Sequence, residues 1–152
     1  MLIYLLRHGI AEARAATDQE RQLTREGLTQ TTSMVAKFKS RLPVLDKTIM
    51  SPYQRTRQTA TVLRLIFPDM RLDADKQLEP DSDVYELLES IEKFGVQHLM
   101  IVSHNPLLSN LLSFMVDATM ETDREIGNST LVCVQMDFIA PGCGEILYTL
   151  EP

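Results

Sequence analysis

The sequence predicts an α/β protein, a three-layer sandwich with a central, mainly parallel sheet. Short apolar runs of strand length alternate along the chain with segments that have the spacing of amphipathic helices. The last two apolar runs, residues 131–136 and 146–150, are joined by Pro141-Gly142-Cys143-Gly144, which predicts an antiparallel edge hairpin near the C-terminus. With 152 residues and no repeat or linker, the chain predicts one domain over residues 1–152.

The first strand is predicted at residues 2–6, where five consecutive apolar side chains are typical of a strand buried on both faces. Arg7, His8 and Gly9 follow at once. Arg7 offers a guanidinium suited to phosphate, His8 an imidazole that can act as nucleophile, acid or base, and Gly9 space for a ligand beside the backbone. Ligands of open α/β sheets bind beyond the carboxyl ends of the strands, but a tripeptide alone is a weak motif.

The next two elements are a helix and a strand. After a polar connection over residues 10–22, Thr24 predicts the N-cap of a helix that ends before Pro43. A short second strand is predicted at residues 48–50. The apolar positions of the helix recur at helical spacing and are Leu28, Thr31, Val35, Phe38 and Leu42.

Ser51-Pro52 after that strand predicts a cap and the first residue of a second helix. This helix carries Arg55 near its start, where unpaired backbone donors already favour an anion. Its packing side is predicted to hold Val62, Leu63, Ile66 and Phe67.

The second half of the sheet follows the same pattern. A weak strand is predicted at residues 71–74, then an acidic loop and an amphipathic helix over residues 84–95. The strongly apolar residues 99–102 predict a buried strand that ends in Ser103-His104, with the serine as a strand-end donor. Asn105-Pro106 repeats the cap-and-proline start of a helix.

Composition limits the class of protein. A net charge of -6 argues against a general nucleic-acid or anionic-membrane partner, because such proteins need a basic face. No apolar run approaches the length of a bilayer, and we expect a cytoplasmic monomer. Cys133 and Cys143 lack metal-ligand spacing and are expected to be reduced, with a disulfide between them as the alternative. We expect no metal and no cofactor.

Polar clusters thus follow three predicted strands: Arg7-His8-Gly9, Ser51 with Arg55, and Ser103-His104. If the strands are parallel neighbours, all three clusters open at the same end of the sheet. Two arginines and two histidines in one pocket suit a tetrahedral oxyanion such as a phosphoryl group.

These residues resemble the histidine phosphatase superfamily. The resemblance rests on Arg7-His8-Gly9, on Ser103-His104 and, most specifically, on Ser51-Pro52-Tyr53-Gln54-Arg55-Thr56-Arg57-Gln58-Thr59-Ala60. It spans the chain from Leu2 to about Met115. The short chain and the segment from Arg21 to Gly27 are similar to the small bacterial branch of phosphohistidine phosphatases. The resemblance implies a phosphoglycerate mutase-like fold.

The resemblance also implies residue roles. His8 would be the nucleophile that becomes phosphorylated. Arg7, Arg55 and His104 would hold the phosphoryl oxygens, and Arg21 would lie at the rim. We expect neutral His8 to attack phosphorus in line while the arginines and a protonated His104 stabilise the charge. Since an unperturbed imidazole titrates at about 6.5, a charged His104 requires a bound dianion or a carboxylate.

Larger members of the superfamily use a glutamate as general acid, and the matching region of this chain is ambiguous. Glu79 is the best candidate, with Asp81 and Asp83 behind it, and a solvated acidic loop is an equally good interpretation. A P–N bond to histidine can break with neutral imidazole as the leaving group, so it needs a positioned acid less than an alkyl phosphate does. A missing acid would therefore favour phosphohistidine substrates.

The leading hypothesis is a metal-independent phosphatase that acts on phosphohistidine in a signalling, phosphorelay protein through a covalent phosphohistidine intermediate. Between Thr59 and His104 there is no long insertion to close over the pocket, which suits a phosphate displayed on another protein. The alternatives are a phosphatase or phosphomutase for small phosphate esters, favoured if Glu79 is a functional acid, and a non-catalytic phosphate-binding module. A binding module has no need of His8 between the arginines.

Other polar residues receive weaker assignments. His98 is expected at a strand edge or in solvent, and Arg57 in a surface ion pair. Thr59 either supports the arginine four residues before it or only packs. Asn128-Ser129 precede the predicted strand at residues 131–136, and this position is the one reason to expect them near the pocket.

Overall fold

The computed structural model describes residues 1–41, 44–122 and 124–152, and within them the chain forms six strands and four α-helices. The helices are α1 Arg25–Lys39, α2 Gln54–Arg64, α3 Val84–Lys93 and α4 Leu107–Asp117, and a 3₁₀ turn covers Lys76–Leu78. The strands are β1 Leu2–Arg7, β2 Lys47–Met50, β3 Leu72–Ala74, β4 His98–Ser103, β5 Leu131–Met136 and β6 Gly144–Leu150.

The sheet has the strand order β3-β2-β4-β1-β5-β6. The first four strands of the chain are parallel, β5 runs antiparallel to β1, and β6 runs antiparallel to β5. The predicted α/β class, with a mainly parallel sheet and an antiparallel C-terminal hairpin, is confirmed. Because β4 lies between β1 and β2, the carboxyl ends of these three strands are neighbours.

Helices cover both faces of the sheet and give three layers. Ile3 and Leu5 of β1 belong to the core formed with α3 and α4, whereas Tyr4 and Leu6 belong to the core formed with α1 and α2. This alternation follows from the two-residue repeat of a strand. All four side chains are buried, as the unbroken apolar run predicts.

The start of α1 agrees with the sequence. Thr24 is its N-cap, and the Thr24 hydroxyl accepts a hydrogen bond from Gly27 N at 3.0 Å. The helix ends at Lys39. Leu42 and Pro43, the predicted last apolar position and stop signal, lie outside the described residues.

α2 begins later than predicted and ends earlier. Tyr53 is its N-cap, so the prediction of Ser51-Pro52 as the helix start is wrong. The Ser51 hydroxyl is instead fully buried and hydrogen-bonded to a histidine. The helix ends at Arg64, and Ile66 and Phe67 pack from the turn that follows it.

The prediction that Asn105-Pro106 caps α4 is also wrong. The helix begins at Leu107 with Pro106 as its N-cap, and no side chain caps it. The Asn105 amide instead donates to Ile126 O at 3.0 Å. This bond ties the segment that precedes β5 to the end of β4.

Two further sequence expectations concern the cysteines and membrane-spanning helices. Cys133 is buried, Cys143 is exposed, and both are free thiols, so the alternative of a disulfide between them is not realised. In the described parts of the chain, no helix combines the length and the apolar character needed to cross a bilayer.

Candidate active site

The three polar clusters meet at one end of the sheet. Arg7 and Ser103 are partners in the β1–β4 register, so the next residues, His8 and His104, lie side by side with ring centroids 5.0 Å apart. Arg55 enters from the first turn of α2. Its Nε lies 3.2 Å from His8 Nε2 and 3.2 Å from His104 Nδ1. The side chains of His8, His104 and Arg55 form one buried cluster.

The hydrogen bonds of His8 define its tautomer. A guanidinium can only donate, so His8 Nε2 accepts from Arg55 and carries no proton. The proton is therefore on Nδ1, which donates to Gly9 O at 2.7 Å. Burial, helped by the charges of Arg55 and Arg7 and opposed by the bond to Gly9, lowers the pKa of His8 to about 4. His8 is neutral at physiological pH, with an unprotonated Nε2 in the cluster.

His104 is neutral for related reasons. Its Nδ1 accepts from Arg55, so its Nε2 carries the proton and donates to Ser51 Oγ at 2.8 Å. Burial, and then the neighbouring His8 and Arg55, lower the pKa of His104 to about 2. His104 is therefore neutral in this structure, because a second cation beside Arg55 in a dry site is unfavourable, and the protonated form expected beside a bound dianion stays a prediction. A charged imidazole here requires a dianion next to it.

Arg55 is held by the loop that precedes α1 and by an aromatic ring. Its Nη1 donates to Asp18 O at 2.6 Å, and its Nη2 donates to Asp18 Oδ2 at 3.0 Å. The Tyr53 ring lies 4.9 Å from the guanidinium carbon of Arg55 and 4.9 Å from the ring centroid of His104. Tyr53 is itself buried, so it shields this side of the cluster from water.

Arg7 extends from the end of β1 towards the segment before β5. Its Nη1 donates to Ile126 O at 2.8 Å and lies 3.6 Å from Glu125 Oε1. Its Nε is buried and has no hydrogen-bond partner among the described residues. An unpaired buried donor is unfavourable, so this N–H is available to an acceptor that a ligand brings.

Gly9 and Thr59 join β1 to the helices. A Cβ on Gly9 would lie 2.6 Å from Thr31 Oγ1 and 2.7 Å from Gly27 O, so the expected space for a ligand is filled by α1. That expectation for Gly9 is corrected: the missing side chain allows close helix packing. Thr59 Oγ1 accepts from Gly9 N at 3.2 Å and donates to Arg55 O at 2.9 Å. Thr59 thus joins α2 to the backbone after β1 and makes no hydrogen bond to the Arg55 guanidinium, so both interpretations of Thr59 stay open.

Arg21 and Glu79 lie outside the histidine cluster. Arg21 Nη1 pairs with Asp18 Oδ1 at 2.9 Å, and its Nε donates to Glu12 O at 2.6 Å. Glu79 follows the 3₁₀ turn and lies near the Tyr53 phenol, whose pKa is raised by burial and then by the charges of Glu79 and Asp18. Among the described residues, the Glu79 carboxylate has no hydrogen-bond partner.

The two acids behind Glu79 have different surroundings. Asp83 Oδ1 accepts from Tyr85 N at 2.7 Å and from Glu86 N at 3.2 Å, which makes it the N-cap of α3. Asp83 is therefore committed to the helix start, contrary to its use as a candidate acid. Asp81 is exposed on the loop.

His98 and Arg57 lie apart from the cluster. His98 begins β4 at the opposite end of the strand, where its Nδ1 is 3.2 Å from the Tyr4 hydroxyl. Arg57 is exposed, but its Nε donates to Pro52 O at 2.8 Å. The ion pair predicted for Arg57 is not formed with any residue that the structure describes.

Asn128 and Ser129 do reach the end of β1. Asn128 Nδ2 donates to His8 O at 3.1 Å, and Ser129 N donates to the same oxygen at 3.2 Å. These bonds fix the backbone that carries the His8 imidazole.

Sequence reasoning missed Asp18 and the partnership of Ser51 with His104. Asp18 lies in a polar segment with Glu20, and no sequence signal distinguishes these two acids. Ser51 lies inside the ten-residue block that carries the family resemblance, so the sequence indicated that Ser51 belongs to the site. It did not indicate that Ser51 bonds to His104.

The cluster combines an unprotonated imidazole nitrogen with the Arg55 guanidinium, and the charges of Arg7 and Arg21 lie near enough to lower the pKa of His8 further. Such a set can bind an oxyanion and place a nucleophile against its central atom. Within the described residues, no group of three or more His, Cys, Asp or Glu side chains is placed to hold a metal ion.

Residues 3–79, about half of the chain, match the histidine phosphatase superfamily (branch 1), and the chain belongs to that superfamily. Over 159 aligned positions it is 25% identical to phosphohistidine phosphatase SixA of Escherichia coli (strain K12), covering 100% of this chain and 94% of that protein. A SixA homolog of Haemophilus influenzae (strain ATCC 51907 / DSM 11121 / KW20 / Rd) is 29% identical over 131 positions, covering 74% and 76%. These similarities support a hydrolase of the phosphatase class.

Solved structures share the fold. The histidine phosphatase SixA complexed with tungstate superposes with a TM-score of 0.85 at 24% identity, covering 100% of this chain and 97% of that chain. The alpha-ribazole phosphatase from Shigella flexneri has a TM-score of 0.81 at 14% identity, covering 100% and 96%. The predicted phosphoglycerate mutase-like arrangement is therefore confirmed.

Proposed function

We propose that this chain is a phosphohistidine phosphatase that removes the phosphoryl group from phosphohistidine on a signalling protein. The observation that carries the proposal is the neutral His8 imidazole, whose Nδ1 proton is held by Gly9 O while Nε2 lies beside Arg55 Nε. A module that only binds phosphate needs the cations but no nucleophile between them. The relatives named phosphohistidine phosphatase SixA support this substrate class.

In the first step, His8 Nε2 attacks phosphorus as the P–N bond to the substrate histidine breaks. The electron pair of that bond stays on the substrate imidazole, which leaves as neutral imidazole when its other ring nitrogen carries a proton. Arg7 and Arg55 stabilise the charge on the equatorial oxygens. The hydrogen bond from Nδ1 to Gly9 O stabilises the positive charge that develops on the attacking ring.

In the second step, water attacks the phosphoryl group on His8. The P–N bond breaks, its electron pair returns to Nε2, and the phosphate leaves with the protons of the water. A dianion beside His104 favours the charged form of that imidazole. Ser51 Oγ accepts from His104 Nε2 in both charge states, so the ring keeps its orientation.

The surroundings of the site support a protein-borne substrate. Between Thr59 and His104 the chain forms the end of α2, β3, the 3₁₀ turn, α3 and β4, and this part of the chain has no long insertion that could close over the strand ends. The Asp18 side chain that lies on Arg55 is half exposed, so a phosphohistidine on a protein surface can reach the buried cluster when that side chain turns away. Glu79 lies near the Tyr53 phenol and makes no hydrogen bond to the cluster. A P–N bond to histidine needs a positioned acid less than an ester does, so a phosphohistidine substrate does not depend on Glu79.

The test compares a phosphohistidine-bearing protein domain with an aryl phosphate, both in the presence of a chelator. We expect chelator-resistant turnover of phosphohistidine that is faster than ester hydrolysis and nearly unchanged in Glu79→Gln. Ester turnover that is faster and is lost in Glu79→Gln would favour a phosphatase or phosphomutase for small esters. No turnover of either compound would favour a phosphate-binding module.

A further inference from the structure

Asp18 places a carboxylate between two arginines of the candidate site. Its Oδ2 accepts from Arg55 Nη2 at 3.0 Å, and its Oδ1 accepts from Arg21 Nη1 at 2.9 Å. The hydrogen bond from Arg21, together with that from Arg55, holds the pKa of Asp18 below its usual range, so the carboxylate is ionised at neutral pH. It therefore connects a guanidinium of the buried cluster to one at the rim.

A carboxylate and a phosphoryl group offer a guanidinium the same kind of charged acceptor. Each nitrogen of Arg55 already donates to the protein: Nε to the two histidines, Nη1 to the Asp18 carbonyl and Nη2 to the Asp18 carboxylate. The carboxylate is the one charged acceptor in this set. Nη1 and Nη2 each carry a second N–H, but the Nη2 N–H that points to Asp18 Oδ2 is free for a phosphoryl oxygen only when the carboxylate leaves it, so an oxyanion at that N–H must compete with Asp18.

The Asp18 side chain can rotate away from Arg55 while the backbone of its loop stays in place. The side chain is 50% exposed, whereas that of Arg55 is 5% exposed. The loop backbone has its own bonds, since Asp18 O accepts from Arg55 Nη1 and Gln19 O accepts from Gln54 N at 2.9 Å. Asp18 also borders a surface cavity of about 350 Å³ formed by residues 13–18 and Arg21, which leaves space beside the carboxylate.

We propose that Asp18 is an internal anion that competes with phosphate for Arg55 and Arg21 and so lowers the affinity of the site for inorganic phosphate. When a phosphoryl group is present, the carboxylate turns towards solvent; when phosphate has formed, the carboxylate returns to the guanidiniums and displaces it. The proposal rests on the proposed function only in naming phosphate as the product. The competition itself requires only the anion site.

The test is a calorimetric titration of inorganic phosphate into the full chain at low ionic strength. Asp18→Asn keeps the shape of the side chain and removes its charge, and we expect its Kd for phosphate to be about tenfold lower than that of the wild type, the effect of one charge-assisted hydrogen bond. Glu20→Gln is the matched control. It removes the same charge from the same loop at an exposed residue, and its Kd is expected to stay at the wild-type value.

Asp18→Ala repeats the test without an acceptor, and thermal unfolding establishes that each variant is folded. An unchanged or weaker Kd in both Asp18 variants would overturn the proposal and make Asp18 a positioning residue for Arg55. Equal tightening in Glu20→Gln, or no detectable phosphate binding by any variant, would overturn it as well. Because the titration contains no phosphohistidine, its outcome is separate from that of the turnover test.

Discussion

At the residue scale, a single N–H of Arg55 determines the tautomer of both histidines. Arg55 Nε lies between His8 Nε2 and His104 Nδ1, and both nitrogens must accept from it. The protonated nitrogens then point away from the guanidinium, to Gly9 O and Ser51 Oγ. A lysine would not replace Arg55, because a flexible ammonium lacks the planar fork of donors.

Ser51→Ala should lower activity by removing the acceptor of His104 Nε2. An unpaired buried donor costs about 1–3 kcal/mol, so the ring is expected to rotate and kcat/KM to fall by about tenfold to a hundredfold. Steady-state kinetics with a phosphohistidine-bearing protein measures this change.

Ser103→Ala is the control for that variant. Ser103 is as buried as Ser51, but its hydroxyl donates to Leu78 O at 2.7 Å instead of meeting a histidine. Both variants should be destabilised, and only Ser51→Ala should lose kcat/KM. Equal losses in the two variants would show that the effect is one of stability.

Acid should destabilise the fold through the two buried histidines. Their pKa values in the folded chain, about 4 for His8 and about 2 for His104, lie below the value of about 6.5 for an exposed imidazole. The unfolded chain therefore binds these protons first, so the free energy of unfolding falls as the pH drops below about 6.5. Urea unfolding between pH 7 and pH 4.5 measures the slope. His104→Asn should show a shallower slope, and an unchanged slope would contradict the assignment.

At the element scale, α1 is held against the chain that follows the site. A Cβ on Gly27, in the first turn of α1, would lie 2.1 Å from Ile10 O and 2.7 Å from Ile10 N. Both are backbone atoms, so a rotamer change cannot relieve the overlap. The close approach of α1 to this segment therefore depends on glycine at position 27.

Gly27→Ala should therefore destabilise the protein by at least about 1–3 kcal/mol, the usual cost of overpacking. The sign of this change in stability is informative, because alanine is favoured over glycine by about 1 kcal/mol in an ordinary helix interior. Ser33→Ala, at an exposed position of the same helix, should change stability by less than about 0.5 kcal/mol. Chemical denaturation compares them, and a Gly27→Ala variant as stable as wild type would contradict the packing.

The strands could be predicted from the sequence because a strand that is buried on both faces requires a continuous run of apolar residues. The starts of α2 and α4 were not, because tertiary bonds override the capping signals there. The Ser51 hydroxyl bonds to His104, and the bond from Asn105 Nδ2 to Ile126 O directs the Asn105 side chain to the segment before β5, so that its Oδ1 makes no bond to α4. Thr24 has a backbone N–H of α1 within reach of its hydroxyl and caps it as predicted.

The site likewise contains features that the sequence predicted and features that it did not. The predicted strand ends were sufficient to place three residues together, because each directly follows a strand or lies in the helix after one: His8, Arg55 and His104. The contact of Asp18 with Arg55 depends on the path of an irregular loop, which no periodicity encodes. The neutral state of His104 depends on its burial beside a cation, which only the packed structure defines.

At the scale of the whole molecule, the strand order makes the site possible. β4 between β1 and β2 puts the three polar clusters on adjacent strand ends, and the sequence does not specify this order. The net charge of -6 contrasts with the local group of Arg7, Arg21 and Arg55. This local positive charge on an acidic chain is consistent with the proposed phosphoryl substrate.

The most direct test of this account is whether His8 carries phosphate during turnover. The full chain is mixed with a phosphohistidine-bearing protein, the reaction is quenched in base, and the phosphorylated residue is located by mass spectrometry. We expect acid-labile phosphate on His8, none in His8→Asn, and normal labelling in His98→Asn at the other end of β4. Phosphate release without label on His8, or wild-type turnover by His8→Asn, would contradict the mechanism.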